Sequence, residues 1–588
     1  MTAYVAPIRD MIHAMREAGN LDEITALPGH EEATLDLVEA ILDEAGKFAG
    51  AVLAPLNQVG DKQGCQWLNG SVTTPDGFKD AYQQFTDNGW HAMPASIELG
   101  GQGLPALVST AVLEMWTSSN MAFSLCQMLT LGAIMAITHH GSDVQKAQYL
   151  PKMVAGTWTG TMNLTEPQAG SDLSAVRSRA VPEGLHYRIF GTKIFITWGE
   201  HDVAENIIHL VLARLPDAPP GVKGISLFIV PKFLINEDGS LGPRNDLVCA
   251  SIEHKMGIHA SPTAVMAFGE KEGAVGYLVG EANRGLEYMF TMMNHARLNV
   301  GLEGVAISER AYQQAVAYAQ ERVQSRPIGG KEAATIIHHP DIRRMLLSMK
   351  SRIGAMRALT YFAASEMDKA HAHPDESVRK SSQARVDLLI PIVKGWCTES
   401  SIDITSLGIQ VHGGMGFIEE TGAAQHFRDA RITAIYEGTT GIQANDLIGR
   451  KLAREQGVTA KALMADMSTL LPVLQSHDSR QLQAVGVALG QGIEALSAAS
   501  DWLIEQYQHD QAAAAAGAVP YLYLFGIVIG GWLLAKGALS QQADAAYLQG
   551  QQVLAHFFAE HFMAQVDGYR QSIMQGADPV LQSFENWI

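Results

Sequence analysis

The sequence predicts an α+β fold in which a β domain lies between α-helical domains. Apolar residues recur at helical spacing before residue 155 and after residue 284, whereas short β-branched and aromatic runs, separated by Gly, Pro and Asp, occupy the middle of the chain. The 588 residues exceed what one hydrophobic core can organise. Several domains are therefore expected.

The N-terminal part is predicted to be helical after an extension over residues 1–34. The segment ATLDLVEAILDEAGKFAGAVLAPL places its apolar residues on one helical face. A Gly/Pro-rich break follows at MPASIELGGQGLP, and apolar residues at helical spacing then continue to YLPKMVAG. We expect an α domain over residues 35–158.

A β domain is expected over residues 159–282. Gly, Pro and Asp clusters separate its apolar runs, which are RIFGTKIFITW, NIIHLVLARL, GISLFIVPKF, TAVMAF and GYLVG. No long helical pattern interrupts these runs. Because parallel neighbours need long crossover connections, the strands are expected to pair antiparallel.

Helical spacing returns at Arg284 and continues to the break at RPIGG, residues 326–330. Further helices are expected beyond this break, giving an α domain over residues 283–452. The C-terminal segment, residues 453–588, is rich in alanine and glutamine and predicts an additional helical domain. It contains no recognisable chemical motif.

One segment of this last domain, residues 512–535, contains no charge and is long enough to span a bilayer. Pro520, three glycines and the charged helical text around the segment favour a buried core helix instead. Peripheral membrane contact through this segment remains the alternative.

Composition limits the class of partner. The net charge of -19 and the pI near 5.5 argue against a polyanion, because nucleic-acid binding draws much of its affinity from Lys and Arg. Four cysteines stand far apart without a CxxC pair, which indicates reduced thiols in a cytoplasmic protein. The N-terminus lacks the basic start and apolar core of a secretory signal.

An acidic residue stands out in RITAIYEGTTGIQANDLIGRKL, residues 431–452. Glu437 lies between the apolar pair Ile435 and Tyr436 and a glycine that two threonines follow. It could cap the helix that begins near Thr440, because the positive end of a helix favours a carboxylate. It could instead be a catalytic base. This stretch alone does not decide between the two roles.

The segment MNLTEPQAGSD, residues 162–172, is expected to form a loop ahead of the strands. Pro167 and Gly170 enforce the loop. The hydroxyls of Thr165 and Ser171 would face a ligand groove, although an ordinary turn explains the same residues.

Two other segments could approach a phosphate. The glycines of QVHGGMGF, residues 410–417, let the backbone come close to a ligand. They are not a Rossmann dinucleotide-binding motif, because the surrounding sequence does not predict a parallel βαβ unit. In QERVQSRPIGG, Arg322 and Arg326 could bind a pyrophosphate or compensate a helix C-terminus. No metal site is expected, since the paired histidines are adjacent and do not share a helical face.

Nine segments, in chain order over about residues 35–450, resemble motifs of the acyl-CoA dehydrogenase family. They are PASIELGGQGLP, MNLTEPQAGSD, GTKIFITW, KMGIHASPT, MMNHAR, QERVQSRPIGG, QVHGGMGF, FRDARI and IYEGTTGIQ. The resemblance implies an FAD enzyme with an N-terminal α domain, a middle β domain and a C-terminal four-helix bundle. The additional domain resembles that of a longer bacterial branch, which contains enzymes for fatty-acyl-CoA and for 3-methylmercaptopropionyl-CoA.

The resemblance assigns roles to matching residues. Glu437 matches the family's catalytic base. Implied FAD-binding residues are Leu164, Thr165, Phe195, Thr197, Arg322, Gln410, Gly413, Gly414 and Thr439. Implied substrate-binding residues are Ser171 at the CoA arm, Arg297 near the CoA phosphates and Gly438. Phe195 stands where many members place a tryptophan against the flavin, and His259 replaces a frequent arginine with a consequence that the resemblance leaves open.

The implied reaction removes the α-proton of an acyl-CoA and transfers a β-hydride to the flavin, giving a trans-2-enoyl-CoA. Electron-transferring flavoprotein is the implied acceptor, and residues shared across subunits imply a homo-oligomer, with a dimer favoured. A medium- to long-chain fatty acyl-CoA of β-oxidation is the first expectation for the substrate. Alternatives are 3-methylmercaptopropionyl-CoA from dimethylsulfoniopropionate catabolism and, more remotely, a DNA-associated flavoprotein relative, which the acidic charge opposes.

Overall fold

The computed structural model describes residues 3–582 and divides into two compact units. The first unit comprises Met1–Lys47, Pro105–Ser118 and Arg297–Ile588, within the described residues. The second unit comprises Phe48–Leu104 and Ser119–Ala296. Each unit thus combines stretches that are distant in sequence.

Helices dominate the first unit and flank the sheet of the second. In chain order they are α1 (Ile8–Glu17), α2 (Leu21–Thr25), α3 (Leu35–Phe48), α4 (Ala54–Gln63), α5 (Phe78–Asp87), α6 (Ala106–His140), α7 (Asp143–Val154), α8 (Gly285–Glu321), α9 (Pro340–Ala372), α10 (Glu376–His412), α11 (Ala423–Ala430), α12 (Thr440–Asp446), α13 (Val458–Ser468), α14 (Leu471–Gln475), α15 (Arg480–His509), α16 (Gln511–Ala516), α17 (Ala518–Ala538), α18 (Ala545–His561), α19 (Val566–Gln575) and α20 (Ala577–Leu581). The helical regions and the position of α8 agree with the sequence periodicity.

The strands lie in the second unit. They are β1 (Gln66–Leu68), β2 (Ser71–Thr73), β3 (Trp158–Asn163), β4 (Arg179–Glu183), β5 (His186–Thr197), β6 (Asn206–Arg214), β7 (Ile225–Pro231), β8 (Phe233–Ile235), β9 (Leu241–Arg244), β10 (Leu247–Ile252), β11 (Thr263–Phe268) and β12 (Ala274–Leu278). The main sheet has the order β10-β11-β5-β12-β7-β6-β3, and β4 pairs with β5 and β6.

Most pairings in this sheet are antiparallel, as expected, but β6 pairs in parallel with β3 and with one residue of β4. The register of β3 on β6 runs from Trp158 opposite Asn206 to Asn163 opposite Val211. The β4–β5 hairpin intervenes in sequence and supplies the crossover that a parallel pair requires. Strands β3 and β7 are buried throughout. Burial on both faces explains the largely apolar run ISLFIVP of β7, whereas the buried strand β3, WTGTMN, contains polar residues.

Helix α17 covers most of the uncharged segment and lies in the core of the first unit. Glycines on α17 allow close packing, since a Cβ added at Gly526 would lie 2.3 Å from Trp396 of α10 and one at Gly531 would lie 2.4 Å from Met563. Within residues 3–582, two helices, α6 and α17, are long and apolar enough to cross a membrane, yet 89% and 83% of their apolar windows are buried. This burial favours the core-helix interpretation of residues 512–535.

A buried ionic network joins α1 to the other helices of the first unit. The Arg357 guanidinium donates to Glu114 Oε1 at 2.6 Å and to Glu309 Oε2 at 2.9 Å. Lys350 Nζ donates to Asp10 Oδ2 of α1 at 2.6 Å. Arg357, Glu114 and Glu309 are buried, and the partly buried Lys350 connects Asp10 to them through Glu309 at 3.9 Å, so the N-terminal extension is an integral part of the unit.

Candidate functional site

Glu437 lies in a short loop of the first unit between the 3-10 turn Arg431–Ala434 and α12. Its backbone is left-handed, with φ of 53°, and Gly438 follows with φ of 89°. A left-handed conformation at a residue other than glycine costs on the order of 1–3 kcal/mol and persists only where the surroundings enforce it. The Thr439 hydroxyl accepts from Ile442 N at 3.4 Å, so Thr439 is the cap of α12. The alternative role of Glu437 as that cap is wrong.

Positive side chains face the Glu437 carboxyl within the same unit. Burial raises the pKa of Glu437, while Arg297 and Lys394 act in the opposite direction. Lys394 Nζ on α10 donates to the Gly438 carbonyl at 2.7 Å. Arg297 on α8 is 5% exposed, and its Nη1 lies 3.6 Å from Asp446 Oδ2. The arrangement provides a carboxylate of raised basicity beside two cations.

Two charged residues near this loop were not singled out from the sequence. Tyr436 donates a hydrogen bond to Glu303 Oε2 on α8, and Glu303 is 2% exposed. Burial raises the pKa of Glu303 to about 8. Burial likewise lowers the pKa of Lys394 to about 8, against the nearby carboxylates. In the sequence, each residue is a single charge within an apolar helical segment, VGLEGV for Glu303 and IPIVKGW for Lys394. Such isolated charges indicate buried, paired groups and could have identified both residues.

In the second unit, the loop after β3 carries Leu164 and Thr165, which are partly exposed. Lys193 Nζ donates to the Leu164 carbonyl at 3.1 Å and to Glu166 Oε1 at 2.8 Å. The Glu166 carboxylate also accepts from the backbone N–H groups of Arg177 at 2.7 Å and Ser178 at 3.0 Å. This buried pair holds the loop in one conformation.

The end of β5 presents Phe195 to the surface. The register of β5 against β11 shifts between Ala264 and Met266, which places a bulge at this point of the strand. Phe195 has φ of 59° and its side chain is 59% exposed, whereas Ile196 is buried. Ile194 N donates to the Thr165 carbonyl at 2.9 Å, so the exposed ring lies beside the β3 loop.

These residues of the second unit fit an FAD. An exposed aromatic ring offers an apolar face to a flavin ring, and the partly exposed hydroxyls of Thr165 and Thr197 can hydrogen-bond the ring's polar edge. The β bulge and the Lys193–Glu166 pair hold these groups in place. The chemistry of the set therefore agrees with the cofactor that the motifs imply.

The remaining residues matched to FAD lie in the first unit. Gln410 lies in the last turn of α10, and Gly413 and Gly414 follow that helix directly; a Cβ added at either glycine would meet open space. The rings of Tyr318 on α8 and His412 on α10 stack with centroids 4.6 Å apart. This stack brings the end of α8, which the exposed Arg322 follows directly, beside the glycines, as an anion-binding edge would require. Thr439 is exposed as well.

Two residues assigned to substrate differ in their surroundings. Ser171 is exposed on the loop after β3, where a CoA arm could reach it. Arg297 is buried beside Asp446, and its charge acts on Glu437; its contact with the CoA phosphates stays a prediction. The structure thus places Arg297 with the carboxyl at position 437.

His259, whose role the sequence left open, connects two segments of the second unit. Its Nδ1 lies 2.9 Å from Asp61 Oδ1 on α4, and its Nε2 lies 2.9 Å from the Lys255 carbonyl. A planar imidazole with partners on both nitrogens can hold this loop against α4. His259 is therefore a structural contact in this protein.

Comparisons with known proteins match the full set of domains. Acyl-CoA dehydrogenase models match as N-terminal domain over residues 37–157, middle domain over 161–270 and C-terminal domain over 283–452. A model described as acetyl-CoA dehydrogenase C-terminal like matches residues 460–583. Fold and site together define an FAD-dependent oxidoreductase that acts on acyl-CoA thioesters. The chain belongs to the acyl-CoA dehydrogenase family.

Two curated relatives cover nearly the whole chain. The 3-methylmercaptopropionyl-CoA dehydrogenase of Ruegeria pomeroyi is 48% identical over 98% of this chain and 99% of its own. The broad-specificity linear acyl-CoA dehydrogenase of Mycobacterium tuberculosis is 32% identical over 97% of this chain and 98% of its own. The additional C-terminal domain is therefore shared with both relatives.

Solved structures show the same fold. ACDH-11 of Caenorhabditis elegans in complex with C11-CoA has a TM-score of 0.80 at 19% identity and covers 98% of this chain and 96% of its own. An acyl-CoA dehydrogenase complexed with FAD from Bacillus anthracis has a TM-score of 0.77 at 19% identity, covering 93% and 89%. A structure of the electron transferring flavoprotein of Acidaminococcus fermentans has a TM-score of 0.57 at 27% identity, covering 70% and 97%.

Proposed function

We propose that Glu437 is the base that removes the α-proton of the acyl-CoA. The observation that carries this proposal is the carboxyl itself, which is held in a strained left-handed loop, has a raised pKa and faces two cations. The α-proton of a thioester is weakly acidic, so its removal needs a positioned base in a site that excludes water. Burial makes Glu437 a stronger base, while Arg297 and Lys394 keep it ionised until the proton arrives.

Bound FAD supplies the acceptor for the β-hydride, and the protein supplies binding and orientation. We assign the flavin ring to Leu164, Thr165, Phe195 and Thr197 in the second unit. We assign the diphosphate and adenosine to Arg322, Gln410, Gly413, Gly414 and Thr439, some of them contributed by a neighbouring subunit. Reconstitution of the apoprotein tests this assignment, because Phe195→Asp should weaken FAD binding and Leu185→Asp, at a fully exposed site, should not.

For the substrate we propose a straight-chain acyl-CoA, with Ser171 at the CoA arm and Gly438 beside the reacting carbons. The medium- to long-chain range is the first candidate. The 48% identity to a 3-methylmercaptopropionyl-CoA dehydrogenase favours that thioester as the second candidate. A thioether sulfur differs little from a methylene in size, so both groups could enter one pocket.

Anaerobic titration of the purified holoenzyme with a panel of thioesters tests the substrate assignment. The panel comprises butyryl-, octanoyl-, palmitoyl- and 3-methylmercaptopropionyl-CoA, and loss of the flavin absorbance reports reduction of bound FAD. Preferential bleaching by octanoyl- and palmitoyl-CoA supports the first candidate. Preferential bleaching by the sulfur compound supports the second, and no bleaching by any of them contradicts both.

Electron-transferring flavoprotein is the acceptor that we propose for the reduced enzyme. The fold similarity to a chain in an electron transferring flavoprotein structure supports this partner. Turnover should require the flavoprotein, and the reduced enzyme should react slowly with oxygen. Rapid peroxide formation in air without another acceptor would identify an oxidase instead.

We also propose that the protein is a homodimer. Apolar side chains are exposed near the ends of α8 and α10, including Ile328 at 92% and Phe417 at 84%, and large apolar groups of this kind commonly mark an interface. Sedimentation of the holoenzyme should give a dimer, and Phe417→Glu should shift it toward monomer. A monomeric wild type would contradict the proposal.

A further inference from the structure

Glu303 is a buried acid without an established use. Its side chain is 2% exposed, Tyr436 donates to its Oε2, and its Oε1 has no hydrogen-bond partner in the part of the chain that the structure describes. An ionised carboxylate with one oxygen left unpartnered in an apolar interior would be costly. A neutral carboxyl with its proton on Oε1 satisfies the same geometry at lower cost, which agrees with the raised pKa of Glu303.

Close helix packing holds Glu303 in place. A Cβ added at Gly301 would lie 2.4 Å from Val393, and one added at Gly304 would lie 2.6 Å from the Cys397 carbonyl oxygen. The two glycines bracket Glu303 on α8 and bring this helix against α10. Glu303 therefore projects from a rigid support.

The strained Glu437 loop is held from both sides. Beyond Glu437, Lys394 and the Gln443 amide donate to the Gly438 carbonyl at 2.7 and 3.4 Å. Before Glu437, the Tyr436 phenol is held by Glu303. Without this second attachment the loop could relax from its left-handed conformation and carry the carboxyl away from its position.

We propose that Glu303 is a positioning residue for Glu437, which it orients by accepting the hydrogen bond of Tyr436 while itself remaining neutral. This inference rests on the proposed role of Glu437 as the base. The neutral state matters because a neutral Glu303 does not compete with Glu437 for the positive charge of Lys394. Glu399 of α10 and Asp446 of α12 are the other carboxylates that face Lys394 and Arg297, respectively.

Four variants of the holoenzyme test the proposal by stopped-flow flavin reduction at saturating acyl-CoA and pH 7. Glu303→Leu and Tyr436→Phe each remove the hydrogen bond between Tyr436 and Glu303. The double variant combines both substitutions but loses only that same hydrogen bond. Glu303→Gln preserves it, because an amide has the shape and hydrogen-bonding groups of a protonated carboxyl. Glu309→Gln is the matched control, since it neutralises another buried glutamate of α8 that pairs with Arg357 instead.

Each bond-breaking variant should reduce flavin at least about tenfold more slowly, and the double variant should be no slower than either single one, because one interaction is lost in all three. Affinity for acyl-CoA and FAD content should stay within about twofold of wild type. The Glu303→Gln variant and the control should keep the wild-type rate.

Three results would overturn the proposal. They are a wild-type rate in Glu303→Leu, a loss in Glu303→Gln as large as in Glu303→Leu, and additive losses in the double variant. Measuring Glu437→Gln alongside separates the two claims. If that variant still reduces flavin at the wild-type rate, the base assignment fails, whatever the Glu303 variants do.

Discussion

Replacing Lys193 by Met should disrupt the loop that carries the proposed flavin-binding residues. Lys193 is fully buried and pairs with Glu166, which is 3% exposed. Burial alone would raise the pKa of Glu166, but the charge and hydrogen bond of Lys193 outweigh it and lower this pKa to about 2 from 4.5. That shift corresponds to about 3 kcal/mol of stabilisation at neutral pH.

The lysine side of the pair opposes this gain. Burial lowers the pKa of Lys193 to about 8 from 10.5, which corresponds to a penalty of about the same size at neutral pH. The intact pair therefore contributes little net stability, whereas removal of one partner leaves the other uncompensated. We take about 3 kcal/mol as the expected cost of Lys193→Met, at the lower end of broken buried pairs, because two backbone N–H groups still bind Glu166.

The assay combines FAD retention with thermal unfolding. If the loss of about 3 kcal/mol destabilises the FAD-binding conformation of the loop after β3, FAD affinity should drop by about 100-fold. The unfolding midpoint of the holoenzyme should fall as well. The double variant Glu166→Gln/Lys193→Met should recover most of both losses, because it leaves no buried charge. Lys223→Met, at an exposed site of the same unit, is the control.

A Lys193→Met protein with wild-type FAD affinity and midpoint would refute this reasoning. The pH dependence has a defined sign as well. Because the pKa of Glu166 is lowered in the fold, its contribution is present above pH 4.5 and is lost as the pH falls toward 2.

Two further predictions concern the first unit. Gly526→Ala should lower the unfolding midpoint, because the new Cβ would overlap the buried Trp396, and overpacking of this kind costs about 1–3 kcal/mol. Gly550→Ala, with nothing within 4 Å, should leave the midpoint unchanged or raise it, and equal effects would contradict the packing. Arg357→Met should cost about 3–5 kcal/mol by leaving two buried carboxylates unpaired. Adding Glu114→Gln should recover part of the loss in midpoint, and no recovery would argue against the network.

The helical and β-rich regions could be predicted because periodicity is a local property of the chain. The span of α8 and the strands β5 to β7 follow from it directly. The parallel pairing of β3 with β6 could not be predicted, because it joins strands that are separated by a hairpin. Which segments of the chain make up each of the two units likewise depends on long-range packing and could not be predicted from periodicity.

In the candidate site, too, the sequence motifs predicted some residues, whereas others depend on tertiary packing. The motifs drew attention to Glu437 and the flavin-binding residues, but the sequence did not show that Thr439, rather than Glu437, caps α12. Glu303, Lys394 and Lys193 were visible only as isolated charges in apolar runs. Which group each of these charges faces depends on helix and strand packing, which spacing in the sequence does not encode.

The most direct test of the central claim is the rate of anaerobic flavin reduction by the best acyl-CoA substrate in Glu437→Gln compared with wild type. The variant should keep FAD and bind acyl-CoA, yet reduce the flavin more slowly by about 10²–10⁴-fold, the contribution typical of a general base. In the wild type the rate should rise with pH through a pKa above the ordinary value for glutamate. Full bleaching at the wild-type rate in Glu437→Gln would contradict the account.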